Sequence, residues 1–214
     1  MSPQQTQSLL APLYESYLNA IKPLIAEIEA RTEKFPLPLF NEIRAFNDHV
    51  ARCYSSSASD NDILGNIQKA EGHITRIVLD CYKYLNVFIY EEVKKFEKST
   101  KNIDLTNIDN GTFWPEYKRL CKQGRNKKKE AKTIESINKI KALQLLQEAY
   151  NIYVQLENLI DNQIENVKWA RVKHRLKIGW RIFKWLVGVA IGAFLATLFS
   201  CEYIRNVCIN IFGL

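Results

Sequence analysis

The sequence predicts an all-α fold with a single apolar membrane helix near its end, on three observations. Glycine and proline are scarce, 8 and 6 in 214 residues. No segment alternates apolar and polar residues between turn signals as a half-buried strand does. The run from Trp185 to Cys201 carries no charged residue, which is the mark of a helix facing lipid. Hydrophobic residues make up 47% and charged residues 25% of the chain, a balance that allows a buried core ahead of that run.

Taken in order, the first helix is expected over about residues 8–34, with Pro12 tolerated in its first turn and Pro23 bending or dividing it. The segment FPLP, Phe35 to Pro38, breaks the chain. A second helix over about residues 39–54 ends at the polar loop 55–62, and a third extends over about residues 63–98. So short a loop favours an antiparallel hairpin of the two. Residues 99–112 read as a loop with a turn at Asn110-Gly111, after which Trp114 and Pro115 open a short helix. The stretch from Asn126 to Ile178 has neither glycine nor proline, so it permits one long helix. Within it Leu145, Ala149, Ile152, Leu156, Leu159 and Gln163 recur at the alternating spacing of a coiled-coil seam, while Leu146, Tyr150, Tyr153, Val154 and Ile160 widen the apolar stripe. Packing inside the domain and a stalk between chains both fit that pattern. The resulting division is 1–125 as a helical cytosolic domain, 126–178 as a long helix or stalk, and 179–214 as a transmembrane helix with a short outer tail.

The charge-free run reaches roughly 25 Å, slightly less than the ~30 Å of a bilayer's hydrocarbon. Its flanks make up the difference: Trp180 and Trp185 suit one interface, Tyr203 and Phe212 the other, and Arg181 and Lys184 can snorkel. Upstream lie Lys168, Arg171, Lys173, Arg175, Lys177, Arg181 and Lys184, against Arg205 alone downstream. The positive-inside rule therefore expects a single-pass protein of the inner, cytoplasmic membrane with its N-terminal part in the cytosol. The N-terminus lacks the basic and apolar regions of a cleaved secretion signal. Small residues fall on one face of the span, Gly188, Gly192, Ala196 and Ser200, where another helix can approach closely. Self-association into a homo-oligomer, a tetramer or larger, is the expectation. Thr197, Ser200 and Glu202 are costly facing lipid and suit a wet lumen. A ring of Glu202 would favour cations, whereas pairing of Glu202 with Arg205 is the plainer alternative.

Charge is unevenly distributed. Residues 1–110 hold 12 Lys+Arg against 15 Asp+Glu, whereas residues 111–184 hold 17 against 7. Such asymmetry points to a polyanion or an anionic membrane surface as partner. The densest cluster is Lys122, Arg125, Lys127, Lys128, Lys129 and Lys132, which straddles Gly124 and an expected helix start. Its alternatives are a nucleic-acid or nucleotide contact, a lipid contact, and a merely solvated face. A second set lies on the hairpin: Arg44, His49 and Arg52 on one helix, His73, Arg76 and Lys83 on the other, with HxxR in both. Residues three apart share a helical face, so the two motifs can converge on an anion, unless Glu42, Asp48, Glu71 and Asp80 engage the same groups in internal salt bridges. Arg44 to His49 also has the RxxxxH spacing of HEPN-type ribonucleases, although Ala45 stands where that family carries a polar residue.

Five scattered cysteines, Cys53, Cys81, Cys121, Cys201 and Cys208, neither build a disulfide scaffold nor hold zinc spacing, which fits a reducing compartment. No phosphate-binding glycine loop, nucleophile elbow or zinc-protease motif is present. The sequence thus assigns no catalytic residue, no metal ligand and no cofactor, and predicts a non-enzyme.

A basic helical domain, a long connecting helix and one late membrane span together resemble the Hailong-type membrane effectors of bacterial anti-phage defence. That resemblance implies a cytosolic domain binding a single-stranded DNA oligomer or nucleotide signal made by a partner nucleotidyltransferase. It further implies an oligomeric ion channel, membrane lipid around it, and death of the infected cell when the channel opens. A helical scaffold anchored in the membrane and a tethered ribonuclease are the other two readings.

Overall fold

The computed structural model describes residues 1–200, 206, 207, 209 and 210. The described residues form helices joined by short turns, with no strand among them.

Helix α1, Pro3–Ser16, starts at a capping box in which the Ser2 hydroxyl accepts from the Gln5 amide and the Gln5 side chain accepts from the Ser2 amide. It runs through a π-helical turn, Tyr17–Ile21, into α2, Lys22–Thr32. Pro23 explains the turn. A proline has no N–H to give and its ring clashes with the carbonyl four residues back, so the helix widens by one residue there and the Lys22 amide reaches back to the Tyr17 carbonyl. Glu33 ends α2 in the left-handed region at φ 54°, and α3, Leu37–Arg52, begins with Pro38 in its first turn, where a missing donor costs nothing.

Helix α4, Asp60–Thr100, opens on the Ser59–Asp62 capping box and forms the spine of the molecule. Its Ile63, Ala70, Ile74, Ile77, Cys81 and Leu85 pack with Leu10, Ile21, Ile28, Leu39 and Phe46 of the first three helices. Leu79 packs with Ala131, Ala142, Leu145 and Leu146, and Ile89 and Val93 with Phe113, Tyr117, Leu120, Tyr153 and Leu156. One helix therefore touches every part of the core. The loop after it closes in a short 3-10 turn, Ile108–Gly111, where Asp109, Asn110 and Gly111 all take positive φ. This agrees with the turn expected at Asn110-Gly111.

Two expectations are corrected beyond this loop. The helix opened by Trp114 and Pro115 is not short: α5 spans Phe113–Ile134, so the basic cluster lies inside a helix rather than at a helix start. Gly124 is buried in mid-helix because the α5–α6 crossing needs its bare backbone. A Cβ there would sit 2.8 Å from Cε1 of Tyr153. Nor is 126–178 one helix. It is divided among the end of α5, α6 (Lys139–Asn162) and the start of α7 (Ile164–Ser200). Asn138 makes the first break by adopting extended geometry and accepting the Lys141 amide at 2.9 Å as a cap, the local competition that asparagine offers to a helix. The seam residues Leu145, Ala149 and Leu156 consequently lie in the core against α4 and α5; α6 is part of the domain. Arg31 of α2 ties it down with a two-pronged pair to Glu157 at 2.8 and 2.9 Å.

Helix α7 behaves differently along its length. Val167 is buried and Ala170 and His174 are partly covered, but from Arg175 through Thr197 every residue is exposed. It is one helix long and apolar enough to cross a membrane, and none of its most apolar window is buried within the chain.

Candidate anion-binding faces

The α3–α4 hairpin brings the two HxxR motifs together. The rings of His49 and His73 stack with centroids 5.3 Å apart. Acids then neutralise the site. Glu42 accepts from His73 Nδ1 at 2.7 Å and from Arg76 Nε at 3.1 Å, Asp48 pairs with Arg52 at 2.8 Å, and Lys83 bridges Asp80 at 3.1 Å and Glu135 at 2.6 Å. His49 contacts the Asn66 side chain at 2.9 Å. Burial pushes the Lys83 ammonium down, but its pairs with Glu135 and Asp80 outweigh burial and leave it raised. The hairpin reads as an internal ion-pair network, and the Glu135 contact pins the α5–α6 turn to α4. Arg44 stays exposed. It is five positions from His49, about 1.4 turns along α3.

The α5 cluster separates into two groups. Lys127 pairs with Glu148 of α6 at 2.6 Å, which raises it. Lys128 is half-buried: its ammonium lies 4.8 Å from the centre of the Tyr90 ring and 5.7 Å from that of Tyr153, and donates to the Asn86 carbonyl at 3.4 Å. Burial, then repulsion from Lys94, holds it below the ordinary lysine range. Both lysines serve the helix packing.

Lys122, Arg125, Lys129 and Lys132 are exposed and form no ion pair among the described residues. Their spacing of three, four and three places them in a narrow arc of α5, about a third of a turn round the helix from the face that buries Tyr117, Gly124 and Ala131. The stripe is about 15 Å long from Lys122 to Lys132. Lys118 lies on the same arc one turn earlier, but it pairs with Glu97 at 3.8 Å and lies over the Trp114 ring at 4.4 Å. Four uncompensated cations on a rigid helix can follow a run of phosphates without rearrangement.

On α7, Gly188 and Gly192 lie on an open face, with nothing near a Cβ built at either. The Thr197 hydroxyl donates to the Phe194 carbonyl of its own helix at 2.7 Å, which satisfies it without a wet lumen. The side chain of Ser200, and Glu202 altogether, lie outside the described residues, as does Arg205. No group of His, Cys, Asp and Glu able to hold a metal occurs among the described residues. The chain matches no protein-family model, no curated protein and no solved structure.

Proposed function

We propose that the chain is a membrane-anchored effector whose helical domain binds a phosphate-rich ligand along α5 and whose α7 assembles with copies of itself to conduct ions. The observation that carries the ligand half is the open stripe Lys122, Arg125, Lys129 and Lys132, free of ion pairs among the described residues, whereas His73, Arg76 and Lys83 of the hairpin and the neighbouring Lys127 are engaged by acids. A single-stranded DNA oligomer or nucleotide signal is the ligand that the resemblance to Hailong-type effectors supplies. Anti-phage defence by host cell death, and the supply of that signal by a nucleotidyltransferase, come from the same source. The exposed apolar length of α7 supports a single pass through the cytoplasmic membrane, with the basic flank and domain on the cytosolic side. Binding shifts a gate only if the oligomer holds one arrangement of the α5 stripes more tightly than another.

A second reading, a membrane-anchored scaffold without a conduit, is favoured by one detail. Thr197 is satisfied within its helix, and the other side chains from Trp185 to Leu198 are small or apolar.

The test uses the full chain in nanodiscs and a fluorescent oligothymidylate read by anisotropy at two salt concentrations. Reversing Lys122, Arg125, Lys129 and Lys132 to glutamate should weaken binding at least a hundredfold. It should also flatten the salt dependence by roughly 0.7 per lost phosphate contact, with unchanged melting. Equal binding by the variant defeats the ligand half. Ion flux from proteoliposomes separates the conduit from the scaffold, which leaves ions contained.

A further inference from the structure

At the domain's junction with the exposed part of α7, a cleft of about 400 Å³ lies between the end of α4 with its following loop and α7. Lys98 and Lys101 approach from one side, Arg171, His174 and Arg175 from the other, and no acid lines it. The four lysines and arginines form no ion pair among the described residues, and the nearby acids are engaged elsewhere. Glu97 faces Lys118 at 3.8 Å, Glu165 pairs with Lys168 at 2.7 Å, and Asp104 accepts the Thr106 hydroxyl and amide. A neighbouring cleft along α7, about 520 Å³, is by contrast mixed: there Asp104 shares the lining with Lys173 and Lys177. Like charges converging without a counter-charge repel one another, so the arrangement of the first cleft favours an anion between them.

Two features indicate which anion. Arg175 also borders a groove lined by Val172, Leu176, Gly179, Trp180 and Phe183, so the cationic cleft opens directly onto apolar surface. Trp180 lies five residues beyond Arg175, about 7.5 Å along the helix, and tryptophan marks the headgroup level of a bilayer. A free phosphate ion would use the cations and leave the groove bare.

We infer that this cleft is a binding site for an anionic glycerophospholipid, its phosphate held by Lys98, Lys101, Arg171 and Arg175 and one acyl chain lying along Leu176, Gly179 and Phe183. The site rests on the reading of α7 as a membrane helix and fixes the tilt of the domain on the bilayer, because the lipid bridges α7 to the end of the spine.

The experiment begins with incorporation of the full chain into neutral phosphatidylcholine nanodiscs; failure at that step defeats the membrane reading itself. Detergent-solubilised protein is then mixed with phosphatidylglycerol or phosphatidylcholine and retained lipid is measured by native mass spectrometry. The expected result is at least tenfold preference for phosphatidylglycerol. The preference should vanish when Lys98, Lys101, Arg171 and Arg175 are all changed to glutamine, and survive when the exposed Lys22, Lys34, Lys69 and Lys139 are changed instead. Equal loss in both variants shows unspecific charge attraction and overturns the site. Circular dichroism checks that both variants keep their helix content; should the first variant unfold, addition of inorganic phosphate and of dihexanoyl phosphatidylglycerol to the unaltered chain decides. Displacement of long-chain lipid by millimolar phosphate, or equal retention of the short-chain lipid, reduces the cleft to a phosphate site and overturns the lipid assignment. Resistance to phosphate with weak retention of the short-chain lipid supports it.

Discussion

Helices α4 and α7 are the two longest among the described residues, 41 and 37 residues, yet one buries a face along its whole length and the other buries hardly any. α4 has eleven buried residues between Ile63 and Thr100, spaced so that one broad face meets the rest of the domain. Among the described side chains of α7 only Val167 is buried, and apolar residues then occupy every side of the helix. The difference teaches how pattern selects solvent. An apolar stripe with a polar back requires a protein partner on one side, whereas a helix apolar all round is satisfied by a medium that surrounds it.

Placing one charge on each helix should break the likeness most sharply. Ile77 of α4 is fully buried and Ile191 of α7 is 55% exposed. Ile77→Arg leaves an unpaired charge in the core, a loss of more than about 4 kcal/mol, so the domain should fail to fold by circular dichroism. Ile191→Arg should leave the melting temperature unchanged and lower membrane partition by about 3 kcal/mol, read as loss from the floating vesicle fraction. If Ile191→Arg melts the domain, α7 is a core helix after all.

The cover over α4 depends on how closely α5 and α6 meet. Gly124→Leu forces a side chain into the Tyr153 ring, which is 1% exposed and hemmed in by core. The expected cost is about 3 kcal/mol, measured by chemical denaturation, with vesicle flotation unaffected.

The smallest effect concerns the other flank of α4. Glu27 of α2 accepts from Arg31 at 2.6 Å and from the Tyr150 hydroxyl of α6 at 3.1 Å. The hydrogen bond from Arg31 holds its carboxyl below the usual carboxylate range. A lowered carboxyl stabilises above its unfolded pKa, and that stability is lost as pH falls through the folded value. At neutral pH the unaltered chain should therefore melt slightly above Glu27→Gln, and the gap should close on acidification below the ordinary carboxylate range. A gap independent of pH assigns the pair no ionic role.

Much of the fold was legible because its signals are local. The interruption at Pro23, the FPLP break, the α3–α4 hairpin and the Asn110-Gly111 turn each follow from backbone restrictions of the residues that make them. The division of 126–178 was not, since neither Asn138 nor Gln163 forbids a helix; the turns form because folding α6 back onto α4 and α5 buries Leu145, Ala149 and Leu156. Gly124 misled for a related reason: in isolation it weakens a helix, but here its missing Cβ is what admits Tyr153.

The sequence alone determined the all-α class, the apolar length of α7 and the concentration of positive charge in residues 111–184, because periodicity, composition and charge are properties of the chain itself. Tertiary structure decided which of those charges remain free. Lys127 and Lys128 adjoin Lys129 in sequence, yet the first meets Glu148 and the second two tyrosine rings, while Lys98 and Arg171, far apart in the chain, line one cleft. A cation's availability is set by what the fold places within a few ångströms of it, and that distance is not written in residue spacing.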